Sequence, residues 1–200
     1  VGNPNCGKTA LFNALTGSHQ KVANYPGVTV ERKEGSLLTP AGRAVTVIDL
    51  PGTYSLRGRS PDEVVTRDVI LGRAGPQERP DLLVCVADAT NLRLMLRLVM
   101  ELSGTGVPMM LALNMADIAR HRGIHIDIPG LSRELGLPVV ETVAIAAGGT
   151  SDLLDRLDAM LADARPPRKT HWLEQSASEV GDAHHAADSM VVRFVSMPSE

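Results

Sequence analysis

Residues 2–9 read Gly2-Asn3-Pro4-Asn5-Cys6-Gly7-Lys8-Thr9 and fit the pattern G-x-x-x-x-G-K-[ST]. The pattern has a physical content. A run of backbone N–H groups must curl around phosphate oxygens, so glycines stand at Gly2 and Gly7, where a Cβ would obstruct the curl. The cradle runs from Asn3, Pro4, Asn5 and Cys6 through Gly7 to Ala10. Lys8 is placed to reach the β and γ phosphates as a point charge, and the Thr9 hydroxyl is placed to ligate Mg²⁺. A helix starting at Lys8 aims its positive end at the same anion. A glycine turn that merely caps a helix needs neither the lysine nor the threonine. A strand leads into such loops. Only Val1 precedes Gly2, so the chain is expected to be a piece whose first strand, central to the sheet, is cut short.

The rest of the chain is read outward from this loop. Two hundred residues suit one domain, or one domain with a small appendage. The hydrophobic fraction of 44% supports a real core, and with only 2% aromatics that core must be aliphatic. A net charge of −3 gives no footprint for nucleic acid. No apolar run approaches a membrane span, and no signal peptide is evident. Two cysteines, one in the phosphate loop and one in an apolar strand, make no disulfide framework and fit a reducing cytosolic setting.

Periodicity predicts a helix over 8–16 stopped by Gly17, and a mobile loop over 19–34 running into a strand. A hairpin is expected from 36–39 and 44–49 around Pro40-Ala41-Gly42-Arg43. A helix should start at Ser60-Pro61-Asp62-Glu63, with Ser60 as its cap. Residues 81–87 and 107–113 read as buried strands, 91–103 as a helix with Leu92, Leu96, Val99 and Leu102 on one face. A helix around 131–135, a strand over 138–144 and an amphipathic helix over 151–164 complete the alternation. The pattern implies an α/β fold of three layers with a mostly parallel sheet, and ligands at the carboxyl ends of its strands. Residues 1–165 form this domain; 166–200 read as a proline-rich linker and a short helical appendage with no strand signal.

Further motifs fall at strand ends. Asp49-Leu50-Pro51-Gly52 (D-x-x-G) places an Asp to hold a water on Mg²⁺ and a glycine N–H to meet a γ phosphate. Thr29 is placed to add a second hydroxyl to the Mg²⁺. Asn114-Met115-Ala116-Asp117 follows a buried strand; a carboxylate at Asp117 pairs with the two donors on guanine that adenine lacks. The frequent lysine of this motif is replaced by Met115, which keeps an apolar cover for the purine and loses the cation.

GNPNCGKT, NYPGVTVERKEG, DLPGTYSL with SPDE, DATNL and NMAD, in that order, resemble the cytosolic G domain of the FeoB family, the bacterial ferrous iron transport proteins B. The likeness spans about residues 1–165, with a looser likeness of the tail to the helical domain that follows in that family. The resemblance implies a P-loop GTPase fold that binds GTP and GDP with Mg²⁺. It implies Asn5 as a K⁺ ligand, with the backbone carbonyls of Ala23 and Tyr25, and it places Gly27, Val28 and Thr29 of the first switch at the nucleotide. Ala144 and Ile145 match a loop that packs on guanine through backbone, where the family often has Ser for Ala144 and often Trp for Tyr25. As partners the resemblance implies the membrane-embedded portion of the same parent chain at the cytoplasmic face of the inner membrane, and small accessory Feo proteins.

Many GTPases orient water with a Gln after the D-x-x-G glycine; Thr53 stands there and is too short. Lys8, Asn5, Thr29 and Gly52 are left to carry catalysis, with K⁺ supplying the missing charge, so hydrolysis is expected to be slow and K⁺-stimulated. Arg57 and Arg59 read as solvated surface residues, and Asp62 and Glu63 as a helix start. The histidines, His121 and His125 around Gly123 and the adjacent His184-His185, lack metal-ligand spacing. Two other readings stay open: a soluble ribosome-assembly GTPase, which usually carries N-K-x-D and a basic extension, and a truncated domain without nucleotide binding.

Overall fold

The computed structural model describes residues 1–17, 20–74, 79–163 and 177–197. The expected linker, Arg165–Lys169, and the end of the helix expected to reach Ala164 lie outside the described residues. Helix α1 is Lys8–Thr16, closed by Gly17 as its composition predicts. Strands β1 (Gln20–Asn24), β2 (Glu31–Leu38) and β3 (Ala44–Asp49) form an antiparallel sheet in the order β1-β2-β3. The expected hairpin is therefore present, with Leu38 opposite Ala44 and Lys33 opposite Asp49.

Helix α2 (Pro61–Ile70) is capped by Ser60, whose hydroxyl accepts from the Glu63 N–H at 3.2 Å; Glu63 in turn accepts from the Arg59 N–H at 2.9 Å. Strands β4 (Leu83–Asp88), β5 (Met109–Asn114) and β7 (Val139–Glu141) form the parallel layer, in the order β4-β5-β7. Helices α3 (Arg93–Ser103), α4 (Ala116–His121), α5 (Ile128–Leu135), α6 (Ser151–Ala162) and α7 (Ala177–Phe194) complete the set, with a two-residue strand β6 (His125–Ile126) before α5.

Alternation along the parallel strands sorts the core into two halves. Leu83, Cys85 and Ala87 with Leu111 and Leu113 face α2, α3 and α5. Val86, Met110 and Ala112 face α1 and α6, where Leu11, Leu153 and Leu157 meet them. The α3 side is the deeper half: Leu96, Leu98 and Leu102 are fully buried. Each such side chain contributes about 1.5–3 kcal/mol over an exposed one.

Three local readings are corrected. The segment read as a loop over 19–34 contains β1, a strand that sequence reasoning missed because four of its five residues are exposed and carry no alternation. The C-terminal segment, read without strand signal, ends in β8 (Val195–Ser196), which pairs antiparallel with β6. The last parallel strand covers only Val139–Glu141, shorter than 138–144, because after the Thr142 bond to Leu113 the N–H groups leave the ladder: Val143 donates to the Gly149 carbonyl and Ala144 to the Asn114 side chain.

Val1 and Gly2 begin a parallel ladder on β4: the Val86 N–H donates to the Val1 carbonyl at 2.8 Å, and Gly2 pairs with Val86. A cavity of about 360 Å³ is lined by Leu11, Val45 and Val47 of β3, Val84 of β4 and Leu153. Helix α7 packs on α3 and α5, with Ala187 and Met190 buried in the main core. Arg93 and Arg97 of α3 both reach Asp188 of α7, Arg97 at 3.3 Å. Among the described residues no helix is long and apolar enough to cross a membrane.

Candidate functional site: a phosphate loop tied to two strand ends

The loop leading into α1 adopts the backbone its sequence demands. Asn5 and Gly7 both sit in the left-handed region, at φ 64° and 80°. Asn tolerates this region better than other side chains, and glycine enters it without strain. At Gly7 a second constraint applies: a Cβ would come within 2.2 Å of Asn114 Nδ2.

Lys8 and Thr9 leave the loop on the first turn of α1 and converge on Asp49 at the end of β3. The Lys8 ammonium donates to Asp49 Oδ1 at 2.5 Å, and the Thr9 hydroxyl donates to Oδ2 at 3.1 Å. The Asp49 side chain is only 4% exposed, so the carboxylate is compensated by this pair rather than by water. Gly52 packs against the loop so closely that a Cβ would lie 3.1 Å from Pro4 Cα. The Thr53 N–H donates to the Gly2 carbonyl at 3.0 Å. The Asn3 amide, oriented by its neighbours, donates to the Thr53 carbonyl at 2.9 Å and accepts from the Met95 N–H at 3.2 Å. Thr53 is buried and its hydroxyl donates to the Ser55 carbonyl at 2.7 Å.

Asn114, at the end of β5, joins three segments. Its amide donates to the Cys6 carbonyl at 3.3 Å, and its oxygen accepts from the Ala144 N–H at 3.1 Å and the Thr142 hydroxyl at 3.4 Å. Met115 takes a left-handed backbone, φ 60°, and leans its methyl toward Gly7. Asp117 is exposed on the first turn of α4, and Ile145 is 86% exposed on the loop after β7.

The first switch stands apart from these contacts. Ala23, Gly27, Val28 and Thr29 are exposed, while Tyr25 and Val30 are buried and joined by a Tyr25 N–H to Val30 carbonyl bond of 2.9 Å. The Tyr25 carbonyl accepts from the Val28 N–H at 3.3 Å. The Tyr25 ring is an anchor in the main core, a role the sequence reading did not give it. Among the described residues its hydroxyl has no partner, and burial pushes its pKa up to about 12. Burial likewise raises the Cys6 thiol and takes Cys85 to about 12, so both stay protonated and unreactive at neutral pH.

Sequence reasoning missed Glu101, a buried acid on α3 that accepts from the Leu56 N–H at 2.8 Å and the Ser55 hydroxyl at 3.0 Å. The signal was available: Glu101 stands three residues after Leu98 and beside Leu102 on the apolar stripe. Among the described residues no group of three or more His, Cys, Asp or Glu is arranged to hold a metal.

Phosphate loop, D-x-x-G strand end and N-x-x-D strand end, gathered at one edge of an α/β core, define a P-loop GTPase fold. The family profile for ferrous iron transport protein B matches residues 1–157. The chain belongs to that family, and these residues are its FeoB-type G domain. It is 45% identical over 157 residues to the Fe(2+) transport protein A/Fe(2+) transporter FeoB fusion protein of Porphyromonas gingivalis, covering 78% of this chain and 18% of that protein. It is 44% identical over 168 residues to the Fe(2+) transporter FeoB of Escherichia coli K12, covering 82% of this chain and 21% of that one. The chain thus spans about a fifth of the length of these relatives. Among solved structures it resembles the G domain of the T. maritima FeoB iron transporter, with TM-score 0.71, 42% identity, and coverage of 80% of this chain and 95% of that one. It also resembles the cytosolic domain of the same transporter in GMPPNP form, with TM-score 0.80, 31% identity, and coverage of 98% and 97%.

Proposed function

We propose that this domain binds GTP and GDP with Mg²⁺, hydrolyses GTP slowly, and serves as the regulatory unit of a bacterial ferrous iron transporter. One observation carries the reading: Lys8 and Thr9 of the phosphate loop meet on Asp49 of the D-x-x-G segment, which assembles the phosphate- and Mg²⁺-binding groups of two motifs in one place. The T. maritima relative has been solved in GMPPNP and GDP forms, which supports the same ligands here.

Each residue then has a task. Backbone N–H groups from Asn3 to Ala10 surround the phosphates, and Lys8 exchanges its bond to Asp49 for phosphate oxygens. Thr9 and Thr29 hydroxyls, and Asp49 through water, offer the hard oxygen donors that Mg²⁺ takes. Bound Mg²⁺ neutralises charge on the β and γ oxygens. Gly52 gives its N–H to the γ phosphate. Asp117 pairs with guanine, Met115 covers the base, and the backbone at Ala144 and Ile145 packs beside it. Asn114 holds these loops together. Asn5 and the carbonyls of Ala23 and Tyr25 are neutral oxygen donors suited to K⁺, which would add positive charge beside the β and γ phosphates. The Tyr25 carbonyl accepts one long bond from Val28 and has a second lone pair for that part.

The parent protein would then move Fe²⁺, with this domain at the cytoplasmic face of the inner membrane and the membrane-embedded portion of the same chain as its partner. The P. gingivalis relative is a fusion with Fe(2+) transport protein A, which supports small accessory proteins of that kind as further partners. The domain assignment, 1–165 as G domain and 166–200 as linker and partial helical domain, is part of the same proposal.

The test is binding of fluorescent GDP and ATP analogues, with GTP hydrolysis followed in K⁺ and in Na⁺. GDP binding without ATP binding, and faster turnover in K⁺ that Asn5→Ala abolishes, are expected. Equal turnover in the two salts would remove the K⁺ mechanism and leave the GTPase; absence of GDP binding would remove the function.

A further inference from the structure

We propose that Glu101 is a positioning residue that holds Gly52 ready for a γ phosphate, so that it sets triphosphate affinity relative to diphosphate affinity. The inference rests on the nucleotide-binding reading above. Glu101 lies in the third turn of α3 and is 8% exposed. One oxygen, Oε2, accepts both from the Leu56 N–H at 2.8 Å and from the Ser55 hydroxyl at 3.0 Å. The Ser55 hydroxyl oxygen also accepts from the Arg57 N–H at 3.2 Å, and the Leu56 side chain is fully buried.

The consequence follows from chain length. Gly52 to Leu56 is five residues, and both ends are tied. At one end Gly52 packs on Pro4 and the Thr53 N–H bonds Gly2; at the other, Glu101 holds Ser55 and Leu56. Between them the Thr53 hydroxyl bonds the Ser55 carbonyl, which shortens the span. A turn held this way has little freedom left at Gly52. An N–H fixed in advance needs no ordering when its acceptor arrives. A diphosphate has no γ oxygen for Gly52 to meet, and its contacts to the phosphate loop do not involve residues 53–56. Loss of Glu101 should therefore weaken triphosphate binding selectively.

The substitution Glu101→Met removes both bonds and keeps an apolar stem of similar length on the buried face. Glu101→Gln keeps an oxygen able to accept from both donors. Affinities for GMPPNP and GDP are measured on the wild-type chain and on both variants. Loss of a hydrogen bond to a charged group corresponds to roughly a tenfold change. We expect GMPPNP affinity of Glu101→Met to fall about five- to tenfold, GDP affinity to stay within about twofold, and Glu101→Gln to restore the ratio. Ser55→Ala, at a half-buried site, should lower the ratio by about two- to threefold and add nothing in the Glu101→Met background. If Glu101→Met does not fold, Ser55→Ala and Glu101→Gln carry the test. Parallel loss of both affinities, an unchanged ratio, or a rise in GMPPNP affinity would each overturn the proposal. A wild-type chain that binds neither nucleotide would instead overturn the functional reading beneath it.

Discussion

Replacing Asn114 by alanine separates two roles that the N-x-x-D motif combines. Asn114 is 3% exposed, and its side chain bonds Cys6, Thr142 and Ala144. Truncation leaves the Ala144 N–H and the Thr142 hydroxyl without their acceptor, and the Cys6 carbonyl without that donor. Each buried polar group left unpaired costs about 1–3 kcal/mol. These bonds are long, 3.1–3.4 Å, and Ala144 is half-buried, so the lower end applies to each. The expected loss is about 2–4 kcal/mol, which for a chain of this size lowers Tm by roughly 5–12 °C. GDP affinity should fall more than tenfold, because phosphate loop and guanine loop lose their common tie. Asp117→Ala is the contrast. Its carboxylate is exposed on α4, so stability should stay within about 0.5 kcal/mol while guanine binding is lost. Urea unfolding followed by circular dichroism, with fluorescent GDP titrations, reads both quantities. Asn114→Ala as stable as wild type, or Asp117→Ala destabilised equally, would refute the division of labour.

Gly7→Ala meets a backbone at φ 80° and a contact of 2.2 Å with Asn114, so it should cost at least about 3 kcal/mol and abolish GDP binding; a stable variant with normal affinity counts against the site geometry. Tyr25→Phe removes a buried hydroxyl without a partner among the described residues, and should raise stability by about 1 kcal/mol in urea unfolding. Wild-type stability should also fall relative to Tyr25→Phe as pH rises from about 10 to about 12, because the folded state resists ionisation that the unfolded chain allows. Asp188 is held down to about 2, first by its hydrogen bond from Arg93; the stability it adds is present above about pH 4 and lost as pH falls through about 2. The Tm difference between wild type and Asp188→Asn should therefore vanish across that window and shrink in high salt, since the pair is exposed.

The elements that the sequence made legible are those whose local chemistry and tertiary role agree. Helix α2 has a capping residue, a proline in its first turn and a Glu three residues on, and the structure uses all of them. Strands β4 and β5 are buried on both faces and read as unbroken apolar runs. Strand β1 escaped detection for the opposite reason: an exposed edge strand is held by backbone ladder bonds, which leave no side-chain pattern to read. Strand β8 exists only because α7 delivers Val195 and Ser196 beside His125 and Ile126, a pairing set by packing of distant segments. At the site, the glycines, Lys8, Thr9 and Asp49 were legible because they fall in the G-x-x-x-x-G-K-[ST] and D-x-x-G patterns, whose members the structure brings together. The bonds of Glu101 to Ser55 and Leu56, some 45 residues away in sequence, and of the Asn3 side chain to the backbone of Thr53 and Met95 were not, because only the folded chain brings those partners together.

The same distinction bears on how the Lys8–Asp49 pair is stabilised. Lys8 and Asp49 are 15% and 4% exposed in their side chains, and either charge alone would be costly at that depth. Their direct pairing resolves the cost without a ligand. On the proposed function, nucleotide affinity would then be a difference between two sets of contacts: phosphate would replace the carboxylate on Lys8, and a cation would replace the ammonium on Asp49. Phosphate without a divalent cation meets only half of this exchange and leaves Asp49 uncompensated. Mg²⁺ without phosphate leaves Lys8 in the same position. On that reading joint binding of nucleotide and Mg²⁺ would be favoured over separate binding, and the origin of the coupling would be the shared carboxylate at the end of β3.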